Sequence, residues 1–110
     1  MHDYLNLKVR VIIDRPLGSK HPRHDIYYPL NYGYISNIIS GDGKEVDAYI
    51  LGEFKPLKEF EGTVIAIIHR KNDIEDKLVV ASYLYQYTKE QLQALVEFQE
   101  RFFDSEIILD

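Results

Sequence analysis

In Gly41-Asp42-Gly43-Lys44-Glu45-Val46-Asp47, one aspartate sits on a glycine-flanked turn and a second on the extended segment that leaves it. Carboxylates delivered this way, Asp42 and Asp47, can converge on one hard cation; Mg2+ takes a few carboxylates and keeps several waters. The spacing is not that of an EF-hand, because the acids do not alternate and no bidentate Glu closes the loop. Taken alone, the simpler reading is a hairpin whose Asp-Gly supplies a positive-φ turn. Just upstream, Tyr28, Tyr32 and Tyr34 share one strand parity, so phenol hydroxyls that donate well to phosphate oxygens can project together. Their simpler reading is a barrel wall with packed rings and wet hydroxyls. Asn72-Asp73-Ile74-Glu75-Asp76-Lys77 sets Asp73, Glu75 and Asp76 beside a lysine between two apolar segments. That group offers further metal ligands and a phosphate-facing cation, or a solvated hairpin tip whose acids keep an edge soluble. Arg15, Lys20, His21, Arg23 and His24 form a locally basic loop before the Tyr stretch, suited to an anion beside a cation site. His21 and His24 are too few for zinc, and His69 and Arg70 are ambiguous for the same reason. No Ser-His-Asp order, GxSxG or phosphate-cradling glycine loop is present.

The elements that must position these groups follow from periodicity. Leu5, Leu7, Val9, Val11 and Ile13 alternate with polar residues, which predicts a strand with one wet face. Pro16, Gly18 and Pro22 end it. A short 25–29 segment, an extended piece over Tyr32–Ile39 and a strand over Val46–Leu51 come next. Gly52–Gly62 reads as a loop. The apolar Thr63–Ile68 should be a strand buried on both faces, forming a hairpin with Lys77–Tyr85. Thr88 and Gln91 have the form of a capping box. Leu92, Leu95, Val96, Phe98, Phe102 and Phe103 recur at helical spacing, predicting a helix over about 88–103 that packs its Leu/Phe stripe on the sheet. Short strands and one helix imply a mostly β fold, a small β-barrel plus a C-terminal helix. An antiparallel closed sheet would leave no exposed edge.

At 110 residues the chain reads as a single domain, 1–110. Eighteen acidic residues against thirteen basic ones give a net charge of -5, which disfavours nucleic acid or an anionic membrane as partner. The absence of cysteine excludes disulfides, thiolate zinc sites and a cysteine nucleophile. Residues 1–6 lack the basic and apolar regions of a signal peptide, and no apolar run reaches the roughly 20 residues that span a bilayer, so a cytoplasmic domain is expected.

Taken in order, these pieces resemble the soluble family I inorganic pyrophosphatases. Tyr28-Pro29-Leu30-Asn31-Tyr32-Gly33-Tyr34-Ile35 is similar to that family's Tyr-Pro-x-Asn-Tyr-Gly-Tyr-Ile. Asp42-Gly43-x-x-Val46-Asp47 follows at the spacing of its Asp-Gly-Asp-x-x-Asp signature. Val11-Ile12-Ile13-Asp14-Arg15-Pro16 resembles the family's opening strand, and Asp73 to Val80 a shortened form of its later metal-binding hairpin. The likeness covers roughly Val9 to Ala81; the helix matches only in position and amphipathicity.

The resemblance implies an OB-like five-stranded barrel and Mg2+-dependent hydrolysis of pyrophosphate, or another small phosphoanhydride, to phosphate. It implies Asp42, Asp47, Asp73 and Glu75 as metal ligands, with Asp14 and Asp76 as further candidates. It implies Tyr32 as a site tyrosine supporting the metal cluster and Lys77 as the phosphate-binding lysine, and a homo-oligomer as a candidate assembly. Asp42, Asp47, Tyr32 and Lys77 then form the catalytic set, while Lys77, Tyr28, Tyr32, Arg15 and Lys44 face substrate. The departures imply an altered or degraded site. Lys44 stands where the family has the aspartate beside its nucleophilic water, and the family's Lys-x-Glu strand and following arginine have no counterpart. Phe102-Phe103 replaces its late Tyr-Lys pair, and the chain is shorter than family members. A barrel of the same descent that binds phosphate, a nucleotide or a protein without catalysis is the alternative. A single-strand binder stacking bases on Tyr28 and Tyr32 is a third reading, opposed by the net charge.

Overall fold

Strand β1 (Lys8–Arg15) follows a 3-10 turn at His2–Tyr4, and β2 (Asn31–Ile39), β3 (Glu45–Ile50), β4 (Glu59–Arg70) and β5 (Asp76–Ala81) come next. Helix α1 (Lys89–Glu100) and a short β6 (Ser105–Ile108) complete the chain. This computed structural model describes residues 2–39, 43–73, 75–82 and 86–109. No helix among them is long and apolar enough to cross a membrane.

The strands run in the order β1-β2-β3-β5-β4, and β4 returns to pair with β1, closing the five-stranded barrel expected from the sequence. The closure is mixed rather than wholly antiparallel. β3 and β5 lie parallel, with Ala48 opposite Leu78, Tyr49 opposite Val79 and Ile50 opposite Val80. A parallel pair needs a crossover connection, and here the long β4 supplies it. One edge of β4 is shared: Glu59–Thr63 pairs with β1 and Ile67–Arg70 with β6. The other edge pairs antiparallel with β5, as the hairpin reading expected. β6 lies beyond the helix expected over about 88–103, in a stretch to which the periodicity assigns no element. β4 likewise begins at Glu59, inside the stretch read as loop, and β1 starts at Lys8 rather than Leu5.

Two cores result. Val11, Ile13, Ile35, Val46, Ala48, Ile50, Val64, Ile67, Leu78 and Val80 fill the barrel. Tyr28, Tyr32, Tyr49, Val79, Ala66 and Ile68 instead meet Leu92 and Val96 of α1 on the barrel's outer wall. Strand alternation sorts the residues between these cores, with one exception. A register shift between Val64 and Ala66 puts one extra residue into β4. This bulge sends Ala66 and Ile68 to the helix side and, by the same parity, Arg70.

Helix α1 starts as its sequence predicts. Thr88 accepts a hydrogen bond from the Gln91 amide at 3.1 Å, and the Gln91 side chain accepts from the Thr88 amide at 2.8 Å. It ends at Glu100, and its buried stripe is Leu92, Val96, Gln99 and Glu100. Leu95 and Phe102, expected on that stripe, are exposed.

The Tyr-Pro-Leu-Asn-Tyr-Gly-Tyr phrase has structural tasks in this fold. Asn31 is fully buried; its Oδ1 accepts from the Leu17 and Leu57 amides, both at 3.0 Å, and its amide donates to the Lys55 carbonyl at 3.0 Å. One side chain therefore clamps the loops on either side of the barrel mouth. Gly33 lies where β2 crosses β1, and a Cβ there would fall inside the Ile12 carbonyl. No larger residue can occupy that crossing without parting the strands.

Candidate functional site

The parallel register of β3 and β5 sets Asp47 and Lys77, each one residue before a matched pair, side by side on the outer wall. The Lys77 ammonium donates to Asp47 Oδ2 at 2.8 Å and to Glu75 Oε1 at 2.6 Å. Tyr32, across β3 from this pair, donates its hydroxyl to the same Asp47 oxygen at 2.7 Å. Asp47 remains partly open to solvent, while the Lys77 side chain is 3% exposed. These groups line a cleft of about 230 Å³ between the barrel wall and the end of α1. Arg15, His21, His24, Arg70, Phe102 and Phe103 complete its charged and aromatic lining.

The cleft has a polar floor that ties α1 to the barrel. Arg70 forms a two-pronged pair with Glu100, at 3.0 Å and 2.7 Å, and its guanidinium lies 3.7 Å from the Phe103 ring centroid. Glu100 also accepts from Tyr49 (2.6 Å) and Ser105 (2.7 Å). Gln99 donates to the Tyr49 hydroxyl at 2.8 Å and accepts from the Tyr28 hydroxyl at 2.7 Å. Arg15 in turn donates to Tyr28 at 2.7 Å, and its guanidinium lies 5.7 Å and 5.9 Å from the Tyr28 and Tyr32 ring centroids. Arg70 also stands 3.7 Å from Glu75 and 3.8 Å from Asp73.

These contacts set the charge states. Burial holds the Tyr32 and Tyr49 phenols well above the ordinary range, reinforced by the Asp47 and Glu100 carboxylates respectively, so both remain hydroxyl donors. Burial pushes Glu100 upward, but the hydrogen bonds from Arg70, Tyr49 and Ser105 outweigh it and leave its carboxyl below the usual range. Desolvation, followed by the nearby Arg15 charge, lowers His21, so its imidazole is neutral at pH 7. Asp14 is raised, chiefly by desolvation, with Arg15 opposing and Asp47 adding.

Of the residues singled out in the sequence, Asp47, Tyr32, Lys77 and Glu75 meet through direct hydrogen bonds, and Arg15 lines the same cleft. Tyr28 is buried, its hydroxyl held between Arg15 and Gln99. Asp73 reaches this group through Arg70. Asp76 pairs with His69 at 2.9 Å, and strand alternation puts it on the opposite face of β5 from Lys77. Asp14 ends β1 exposed, and Lys44 is exposed after the turn. Asp42 lies outside the described residues. Among the described residues, no group of three or more His, Asp or Glu could hold a metal ion. Gln99 and Glu100 were missed altogether. Their residue types gave no signal, since polar side chains in a last helical turn look solvent-facing until partners such as Tyr28, Tyr49 and Arg70 are in place.

Comparison with known proteins agrees with the geometry at the level of fold. No family model matches the chain. A curated inorganic pyrophosphatase of Campylobacter jejuni is 39% identical over 44 residues, which is 40% of this chain and 23% of that protein. The crystal structure of an inorganic pyrophosphatase from Ehrlichia chaffeensis superposes with a TM-score of 0.70 at 18% identity, covering 93% of this chain and 85% of that one. One from Neisseria gonorrhoeae gives a TM-score of 0.64 at 20% identity, covering 83% and 70%. The chain has the closed barrel-plus-helix fold of the inorganic pyrophosphatases, and over those 44 residues it resembles one of them in sequence.

Proposed function

We propose that this single domain is a short, divergent inorganic diphosphatase that binds pyrophosphate, or a related small phosphoanhydride, in the cleft and hydrolyses it with Mg2+. The observation that carries this reading is the convergence of Asp47 and Glu75 on one cationic point, now held by the Lys77 ammonium at 2.8 Å and 2.6 Å, beside Arg15 and Arg70. Two carboxylates aimed at a common cation suit Mg2+, which binds through one or two of them and completes its shell with waters and substrate phosphate oxygens. Asp47 and Glu75 would hold it, with Asp42 and Asp73 as the further ligands the resemblance implies. When bound, the ion neutralises phosphoryl charge and lowers the pKa of a coordinated water.

The chain's own residues do the rest. Tyr32 fixes the Asp47 carboxylate through its hydroxyl, which burial keeps protonated. Lys77 turns from its carboxylates to a phosphate oxygen, and Arg15, paired across the strands with Tyr32, offers its guanidinium to the same anion. The site would act in the cytoplasm, and self-association is part of the same reading.

A barrel that binds an anion without turning it over is the second reading. Lys44, in place of the family's aspartate, and the missing Lys-x-Glu strand favour it. Phosphate release from pyrophosphate, with and without Mg2+, separates the two for wild type and Asp47→Asn. Mg2+-dependent release that falls at least 100-fold in the variant is expected of the enzyme. No turnover at any Mg2+ concentration, with pyrophosphate still bound, establishes the second reading.

A further inference from the structure

The cleft carries more aromatic surface than a bare inorganic anion can use. Phe102 stands at its rim with 63% of its surface in water, immediately after the helix ends, and Phe103 beside it is held under the Arg70 guanidinium. The basic loop adds His21 and His24, whose rings lie 4.7 Å apart and line the same cleft. A short bridge from Lys20 to Tyr27 and the His21 amide bond to the Ile26 carbonyl, at 2.8 Å, fix that loop. An exposed phenylalanine gains nothing from hydration, and a phosphate gains nothing from a benzene ring. A ligand with a planar apolar group tethered to its phosphates would use both.

We propose that the cleft takes a nucleoside 5′-diphosphate, with its phosphates among Arg15, Lys77 and the carboxylate-held cation and its base stacked on Phe102. This rests on the phosphoanhydride reading of the cleft and narrows its ligand class. The cleft, at about 230 Å³, has room for a diphosphate but not for a whole nucleotide, which leaves the ribose and base at the rim where Phe102 stands. Base-on-aromatic stacking tolerates every base, because each presents a π-face, so the site discriminates a base from none rather than one base from another.

Three ligands, each with a methylene group in place of the bridging P–O–P oxygen so that none can be hydrolysed, test this by calorimetry in the presence of Mg2+: the analogues of ADP, of the base-less ribose 5-diphosphate, and of pyrophosphate. Wild type is expected to bind the ADP analogue at least 10-fold more tightly than the ribose 5-diphosphate analogue. Phe102→Ala, at an exposed position, should erase that difference, and Phe102→Trp should restore it. Equal affinity of wild type for the ADP and ribose 5-diphosphate analogues overturns the base site while leaving the anion cleft standing. A preference for the ADP analogue that survives Phe102→Ala overturns the stacking role assigned to Phe102. Failure of all three ligands to bind overturns the phosphoanhydride reading itself.

Discussion

Replacing Glu100 by glutamine removes one charge and keeps the shape, at the point where the helix is locked to the barrel. Glu100 is 7% exposed and takes hydrogen bonds from two nitrogens of Arg70, from Tyr49 and from Ser105. An amide in its place turns donor against donor on one side and leaves Arg70, itself 4% exposed, as a buried cation without its close counter-ion. Breaking a buried pair by removing one partner costs about 3–5 kcal/mol. The exposed Arg10–Glu59 pair has an equally short 2.7 Å contact, but its solvent position makes it worth only about 0.2–1 kcal/mol. A loss of about 4 kcal/mol is a large share of the roughly 5–15 kcal/mol that holds a domain together. At a urea slope near 2 kcal/mol per molar, it lowers the unfolding midpoint by roughly 2 M. The transition can be followed by tyrosine fluorescence, since the chain has nine tyrosines and no tryptophan. The pH dependence gives a second handle. Because the folded state depresses the Glu100 pKa, its contribution is complete above the unfolded value, near 4.3, and is lost as pH falls through the lower folded value. The gap between wild type and Glu100→Gln should therefore be full at pH 7 and close progressively below about pH 4. A midpoint shift below about 0.5 M at pH 7, or a gap that does not change with acid, refutes the locking role.

Asn31→Ala removes three buried hydrogen bonds and orphans the Leu17 and Leu57 amides, each costing about 1–3 kcal/mol. A melting temperature lowered on the order of 10 °C or more is expected by circular dichroism. Thr88→Ala abolishes the capping box and should cost about 1 kcal/mol, read as a smaller drop in the same melt.

Much of this fold was legible because local chemistry and tertiary position agreed. Period-two alternation marked β1, residues suited to a pleated surface marked β3, and Thr88 with Gln91 announced the helix start. What was not legible depends on partners distant in sequence. Nothing in Thr63–Ile68 shows the bulge at β4, because an unbroken apolar run has no parity to read. That bulge alone decides that Arg70 faces the helix. The parallel pairing of β3 with β5 has no local signature either, yet it brings Asp47 to Lys77 across thirty residues. Phe102 and Phe103 misled because apolar residues at helical spacing look alike whether they enter a core or line a cleft. Gln99 and Glu100 look like surface polar residues until Tyr28, Tyr49 and Arg70 are seen waiting beneath them.

The charge arrangement argues for a cation as part of any anion complex here. Among the described residues lining the cleft, Arg15, Arg70 and Lys77 are basic, but Arg70 is spoken for by Glu100, and Lys77 is shared between Asp47 and Glu75. Arg15 alone donates only to a neutral partner, the Tyr28 hydroxyl, at 2.7 Å. Such a site cannot neutralise a diphosphate carrying several negative charges by side chains alone, because freeing Lys77 leaves its two carboxylates facing one another. Asp47 and Glu75, vacated by Lys77, would hold a divalent ion, which would supply positive charge to the phosphates. On that proposal Lys77 would be a stand-in cation that keeps the acidic pair together before metal and anion bind. Binding of anion and of Mg2+ should then be mutually dependent, each strengthening the other by the same factor. A pyrophosphate affinity that ignores Mg2+ would mean that no ion joins the anion complex and would favour the reading of a barrel that binds an anion without turning it over.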